Sequence, residues 1–170
     1  MENLILYIAN TIVRRLSPAR KFRNHSIENT GCSALMFSNN EFKKSITPSG
    51  DQLYFKEFKD KGVSYGIICI QLNHHYERKE AIGLLRIYIN KLKGPFFILH
   101  NTGLQKCIDW NTLDSKTLTD YWQDADQRDW KVKGYTDGKT MAVLYVKNIS
   151  QIGVRKQDLF LDGFHFRQAG

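Results

Sequence analysis

Four aspartates, Asp120, Asp124, Asp126 and Asp129, stand within the stretch "DYWQDADQRDW", the densest group of chemically capable side chains in the chain. Clustered carboxylates suit a cation site or a general acid–base pair. A calcium loop of the EF-hand type needs oxygen ligands at alternate positions, a central glycine and a closing bidentate glutamate. In "DADQRDWKVKGY" Arg128 takes a ligand position, the turn has no central glycine, and no glutamate follows. Aspartate also favours turns, where its carboxylate bonds its own backbone. The spacing therefore predicts the polar tip of a β-hairpin and no metal.

The other reactive residue types are dispersed. His74 and His75 are adjacent, so on a strand they would point to opposite faces. His25, His100 and His165 stand apart, and neither HExxH nor a Cys/His zinc spacing occurs. Cys107 with His100 is a conceivable nucleophile–base pair, yet nothing in the sequence fixes a third, orienting residue. Phosphate-cradling glycine motifs are absent. The nearest stretch, "TDGKT" at 136–140, reads as a tight hairpin, so no cofactor is expected.

The elements that must position these residues are legible from periodicity. "SALMF" reads as a short strand, and "QLYFKEF" alternates, placing Leu53, Phe55 and Glu57 on one side and Tyr54, Lys56 and Phe58 on the other. "DKG" at 60–62 turns this segment onto "VSYGIICIQLN", a β-branched run of central-strand length. Residues 77–93 have helical spacing, with Ala81, Leu84, Leu85, Tyr88 and Leu92 on one face, and Gly94–Pro95 as a stop signal. "PFFILHNT" and "LQKCIDW" read as strands. Residues 120–148 then form a three-stranded meander with turns at 124–128 and 136–138, the second marked by Asp-Gly. Trp130 and Val132 take one face of it, Lys131 and Lys133 the other. "VRKQDLFLDGFHF" predicts a short helix, with Leu159, Phe160 and Phe164 apolar, and a strand-like tail. Trp110, Trp122, Trp130, Tyr121 and Tyr135 are expected in the core, since such rings bury large apolar area.

At 170 residues, with 42% hydrophobic and 25% charged composition, the chain fits one globular domain over 1–170, with its core at 40–166. Residues 1–17 read as an amphipathic helix with Leu4, Ile8, Ile12 and Leu16 on one face. Its apolar stretch, Leu4 to Val13, is far short of the ~20 residues of a membrane-spanning helix, and its charges lie in the wrong order for a secretory signal. Cys32, Cys69 and Cys107 share no CxxC spacing, which predicts reduced thiols and a cytoplasmic protein. Of the net charge of +8, all but one unit lies before residue 111. The excess peaks in "RRLSPARKFR", where Arg14, Arg15, Arg20, Lys21 and Arg23 occur without an acid and could bind phosphates.

The order of helix, hairpin, long helix, strands, meander and terminal "FLDGFHF" is preceded by "W-x-V-x-G-Y-x-x-G-K-x-x-A-V-L-Y-V". Over residues 40–166 this resembles the α/β/α sandwiches of the PsbP-like group. That group includes the extrinsic subunit of photosystem II, a Ran-binding nuclear import factor and bacterial adaptors that chaperone secreted effectors. The resemblance implies an α+β fold, an antiparallel sheet flanked by helices, and non-enzymatic binding work. It assigns no binding residue, and the basic stretch 14–23 has no counterpart in it.

Three functions follow as expectations. The first is a non-catalytic binding or adaptor module with a protein partner, which predicts an exposed apolar groove. The second is a polyanion or nucleic-acid binder using Arg14, Arg15, Arg20, Lys21 and Arg23, which predicts a contiguous basic face. The third is an enzyme, which predicts a deep pocket with convergent polar groups.

Overall fold

The computed structural model describes residues 21–37, 41–108, 116–149 and 153–166. The expected helix at 1–17, together with Arg14, Arg15, Arg20 and Trp110, lies outside the described residues. The elements are β1 (Arg23–Ser26), a 3-10 turn (Glu28–Thr30), β2 (Ser33–Met36), β3 (Lys43–Ile46), β4 (Gln52–Asp60) and β5 (Val63–Gln71). There follow α1 (Arg78–Leu92), β6 (Ile98–Asn101), β7 (Gln105–Ile108), β8 (Lys116–Asp124), β9 (Asp129–Thr136), β10 (Thr140–Lys147) and α2 (Val154–Asp162).

The main sheet runs β3-β4-β5-β10-β9-β8-β6, with β7 also paired to β8, and every pairing is antiparallel. The fold is α+β. The expected meander is present: β8 turns into β9 and β9 into β10, with Trp122 opposite Trp130 and Val143 opposite Gly134. β5 and β10 lie at the centre and are buried on both faces, so their sequences are continuous apolar runs rather than alternating ones.

Alternation elsewhere sorts side chains into two layers. On one face Leu85 and Ile89 of α1 pack against Ile68, Ile70, Leu118, Val132, Val143, Trp122, Trp130 and Tyr145. The helix comes close because Gly134 lies beneath it: a Cβ there would collide with Ile89 and crowd Leu85. On the other face the β1–β2 hairpin and α2 bury Ile27, Ala34, Met36, Phe160 and Leu161 against Ile67, Cys69, Tyr135, Ala142, Leu144 and Val146. The C-terminal tail is tied to the hairpin through paired Ser33 and His165 backbone bonds, each 2.9 Å.

Three sequence expectations shift here. Tyr121, expected in the core, is 42% exposed, because it faces the side of β8 opposite Trp122 and lies beside Lys131. In α1 the buried residues are Ala81, Ile82, Leu85 and Ile89, while Leu84, Tyr88 and Leu92 are half-buried, so the buried stripe is rotated towards Ile82 and Ile89. In α2 Leu159 is 51% exposed and Gln157 is buried, because Gln157, Phe160 and Leu161 share the sheet-facing side. No helix among the described residues is long and apolar enough to cross a membrane.

Candidate functional site

The aspartates are placed by β8 and its turn into β9. Asp124 is buried and fully engaged. One carboxylate oxygen accepts the backbone N–H groups of Asp126 and Arg128, both at 3.0 Å. The other accepts Arg128 Nε at 2.9 Å and the Trp130 indole at 3.0 Å. Burial pulls its pKa upward. The Arg128 backbone, the Trp130 indole and the Arg128 guanidinium outweigh that pull and hold the carboxyl below the usual range. Asp120 repeats the pattern, accepting the Trp122 indole at 2.8 Å, Lys93 Nζ at 3.0 Å, the Tyr121 N–H at 2.9 Å and the Thr102 hydroxyl at 3.3 Å.

A carboxylate offers about four lone-pair sites, and both residues use four. Four strand residues also separate Asp120 from Asp124, about 14 Å along β8. Asp126 pairs with Arg128, and Asp129 accepts the Gln123 amide at 3.1 Å. The cluster therefore builds a hairpin tip and seats two buried indoles. Among the described residues no group of three or more His, Cys, Asp and Glu side chains could hold a metal ion.

The Cys107–His100 pairing fails on register. Cys107 lies opposite Thr117 and His100 opposite Gln123, so six residues of β8, about 20 Å, separate them. His74 and His75 are exposed between β5 and α1. A small cleft at the start of α1, about 220 Å³, is lined by His75, Tyr76, Arg78 and Asp137 among others. That is below the ~300 Å³ at which ligand pockets usually begin.

Of the basic stretch, Lys21 and Arg23 are described. Both are exposed, while Phe22 between them stacks on Phe37 at 4.3 Å, so chain alternation puts the two cations together on the outside. Arg14, Arg15 and Arg20 lie outside the described residues.

The feature that sequence reasoning missed lies on the sheet edge. "PFFIL" carries four consecutive apolar residues across the turn that follows α1 and into a short edge strand, with Phe96 and Phe97 in the turn and Ile98 and Leu99 in β6. Phe96 and Ile98 pack into the core below α1, leaving Phe97 72% and Leu99 64% exposed. That run was the available signal: a turn leading into an edge strand with one covered face cannot bury four successive apolar side chains. Phe97 also has φ +53°, a left-handed conformation that a bulky residue rarely adopts. Its N–H bonds to Gly94 O at 2.9 Å and its carbonyl accepts the Ala125 N–H at 3.0 Å, so the surroundings fix the strained geometry. Among the described residues β6 pairs with β8 only, so its outer edge carries no strand.

The opposite edge differs. β3 is exposed along its whole length and displays Lys43 and Lys44, the charged residues that discourage strand addition. β6 carries no lysine, arginine, aspartate or glutamate. No protein-family model matches this chain, and no curated protein matches it.

Proposed function

We propose that this protein is a non-catalytic adaptor that binds an extended segment of a protein partner along the β6 edge. The observation that carries this reading is the exposed pair of Phe97, in the turn before β6, and Leu99, on β6, beside a strand edge that no other described strand covers; Phe97 is held in a strained conformation. Strand addition supplies main-chain hydrogen bonds, and alternate side chains supply specificity. Two exposed side chains are anchors rather than a whole interface, since a stable complex buries ~800 Å² per partner. The layering of α1, the sheet, and α2 with the β1–β2 hairpin supports membership of the PsbP-like sandwiches, whose members mostly bind or assemble.

The test is affinity capture with the wild-type chain beside a Phe97→Ser/Leu99→Ser variant and a Lys21→Glu/Arg23→Glu variant. The expected result is a partner lost only from the β6 variant, with its thermal midpoint unchanged. A partner that the β6 variant retains sinks the proposal. A partner lost from the Lys21/Arg23 variant instead favours the polyanion reading, which the shared outward placement of those two residues supports.

A further inference from the structure

Thirty-seven positions separate Cys32 from Cys69, and no sequence motif relates them. The fold brings them into contact. Cys69 lies in the middle of β5, between Tyr54 of β4 and Ala142 of β10, and Cys32 lies in the turn leading into β2. Both are thiols in one buried apolar cluster, 0% and 2% exposed, and the Cys32 side chain is the leading influence on the Cys69 thiol. The Cys32 turn is itself held in place. The Thr30 hydroxyl donates to Ile27 O at 2.6 Å, accepts the Cys32 N–H at 3.1 Å, and the Cys32 thiol points at Thr30 O at 4.0 Å.

We propose that Cys32 and Cys69 are a disulfide-forming pair that fastens the β1–β2 hairpin to the central strand β5. The proposal is independent of the partner-binding reading of β6. A buried cysteine alone is a small apolar side chain. Two in contact across elements this distant in sequence are a cross-link awaiting an oxidant. The oxidant is a low-molecular-weight disulfide such as oxidised glutathione. One protein thiolate attacks it, forming a mixed disulfide and releasing one glutathione thiolate. The second protein thiolate then displaces the other glutathione. Two protons and two electrons pass from the protein thiols to the reagent, giving one protein disulfide and two reduced glutathiones.

Access sets the rate. Hydrogen bonding to Cys32, followed by burial, holds the Cys69 thiol well above its ordinary pKa, so the closed protein reacts slowly. The bond forms during folding or when the hairpin lifts from the sheet, a step that also uncovers Ile27, Ala34 and Met36. A reducing compartment keeps the pair as thiols, whereas an oxidising one locks the hairpin.

The experiment uses a Cys107→Ser variant, which leaves these two thiols, refolded with reduced and oxidised glutathione. The expected product has lost two hydrogen masses and yields a linked peptide pair containing Cys32 and Cys69. Its thermal midpoint rises by roughly 10 °C over the reduced form, as a loop of this length implies, and the rise reverses with dithiothreitol. Adding Cys69→Ser abolishes both the bond and the shift. Two titratable thiols after oxidising refolding, a glutathione adduct that never closes, or a bond that lowers the midpoint each overturn the pairing.

Discussion

The indole N–H of Trp130 donates to the Asp124 carboxylate at 3.0 Å, inside a turn that the same carboxylate organises through two backbone N–H groups. One side chain thus shapes the hairpin tip and satisfies the polar edge of a ring that is 2% exposed. Replacing Asp124 by Ala leaves a buried indole donor without a partner and strips Arg128 of its main acceptor. Unpaired buried donors cost about 1–3 kcal/mol, more when a charged group is involved. Asp124→Ala is expected to lower unfolding free energy by about 3 kcal/mol, read by urea titration. A loss under ~1 kcal/mol would show that the turn is held by strand pairing alone.

The same residue sets an acid limit. Its folded pKa is depressed below the roughly 3.9 of an unfolded aspartate, and Asp51 is shifted the same way by Ser49 and the Asn73 backbone N–H. Between folded and unfolded values the unfolded chain binds more protons, so stability rises with pH there. The contribution is complete above about pH 4 and is lost as pH falls through the folded values. Urea midpoints measured from pH 6 to 2.5 should fall below about pH 4, and Asp124→Asn should flatten that fall. An unchanged slope in the variant would remove Asp124 from the explanation.

Alternation and turn chemistry made the sheet readable. β4 sorts Leu53 and Phe55 from Tyr54 and Phe58 as its sequence implies, and Asp137–Gly138 turns β9 into β10. These signals are local, spanning a few residues. The Cys32–Cys69 contact was illegible because no local pattern reports a meeting of a turn and a strand 37 positions apart. The exposure of Phe97 and Leu99 depended on β6 being an edge, which is a property of strand order. The depth of Ile82 and Ile89 depended on how α1 rotates over Gly134.

Gly66 lies directly opposite Tyr145 on β10, and the tyrosine ring occupies the space where a Cβ would stand. The ring then reaches across to β4, where its hydroxyl donates to Glu57 at 2.6 Å. Burial, with Glu57 adding to it, pushes the Tyr145 hydroxyl far above its ordinary pKa, so it stays a donor at all working pH values. Gly66→Ala must displace the ring from a packed layer, and overpacking typically costs about 1–3 kcal/mol. Tyr145→Phe, which keeps the ring, should cost only about 1 kcal/mol for the hydrogen bond. Finding the tyrosine change worse than the glycine change would contradict this geometry.

Phe97 offers a test that separates stability from binding. Its φ of +53° costs a non-glycine residue roughly 1–3 kcal/mol, and its side chain, 72% exposed, recovers little of that through burial. Glycine adopts this conformation without strain, though it also gains entropy in the unfolded chain. Phe97→Gly is therefore expected to leave stability unchanged or to raise it by about 1 kcal/mol, measured by urea titration. The same variant should lose the captured partner, because the β6 anchor is gone. Phe97→Ala is the companion: it keeps the strain, removes the ring and should bind as poorly. If Phe97→Gly instead destabilises the fold by ~2 kcal/mol or more, the ring is doing packing work. The exposed β6 edge would then lose its claim as a surface maintained for a partner.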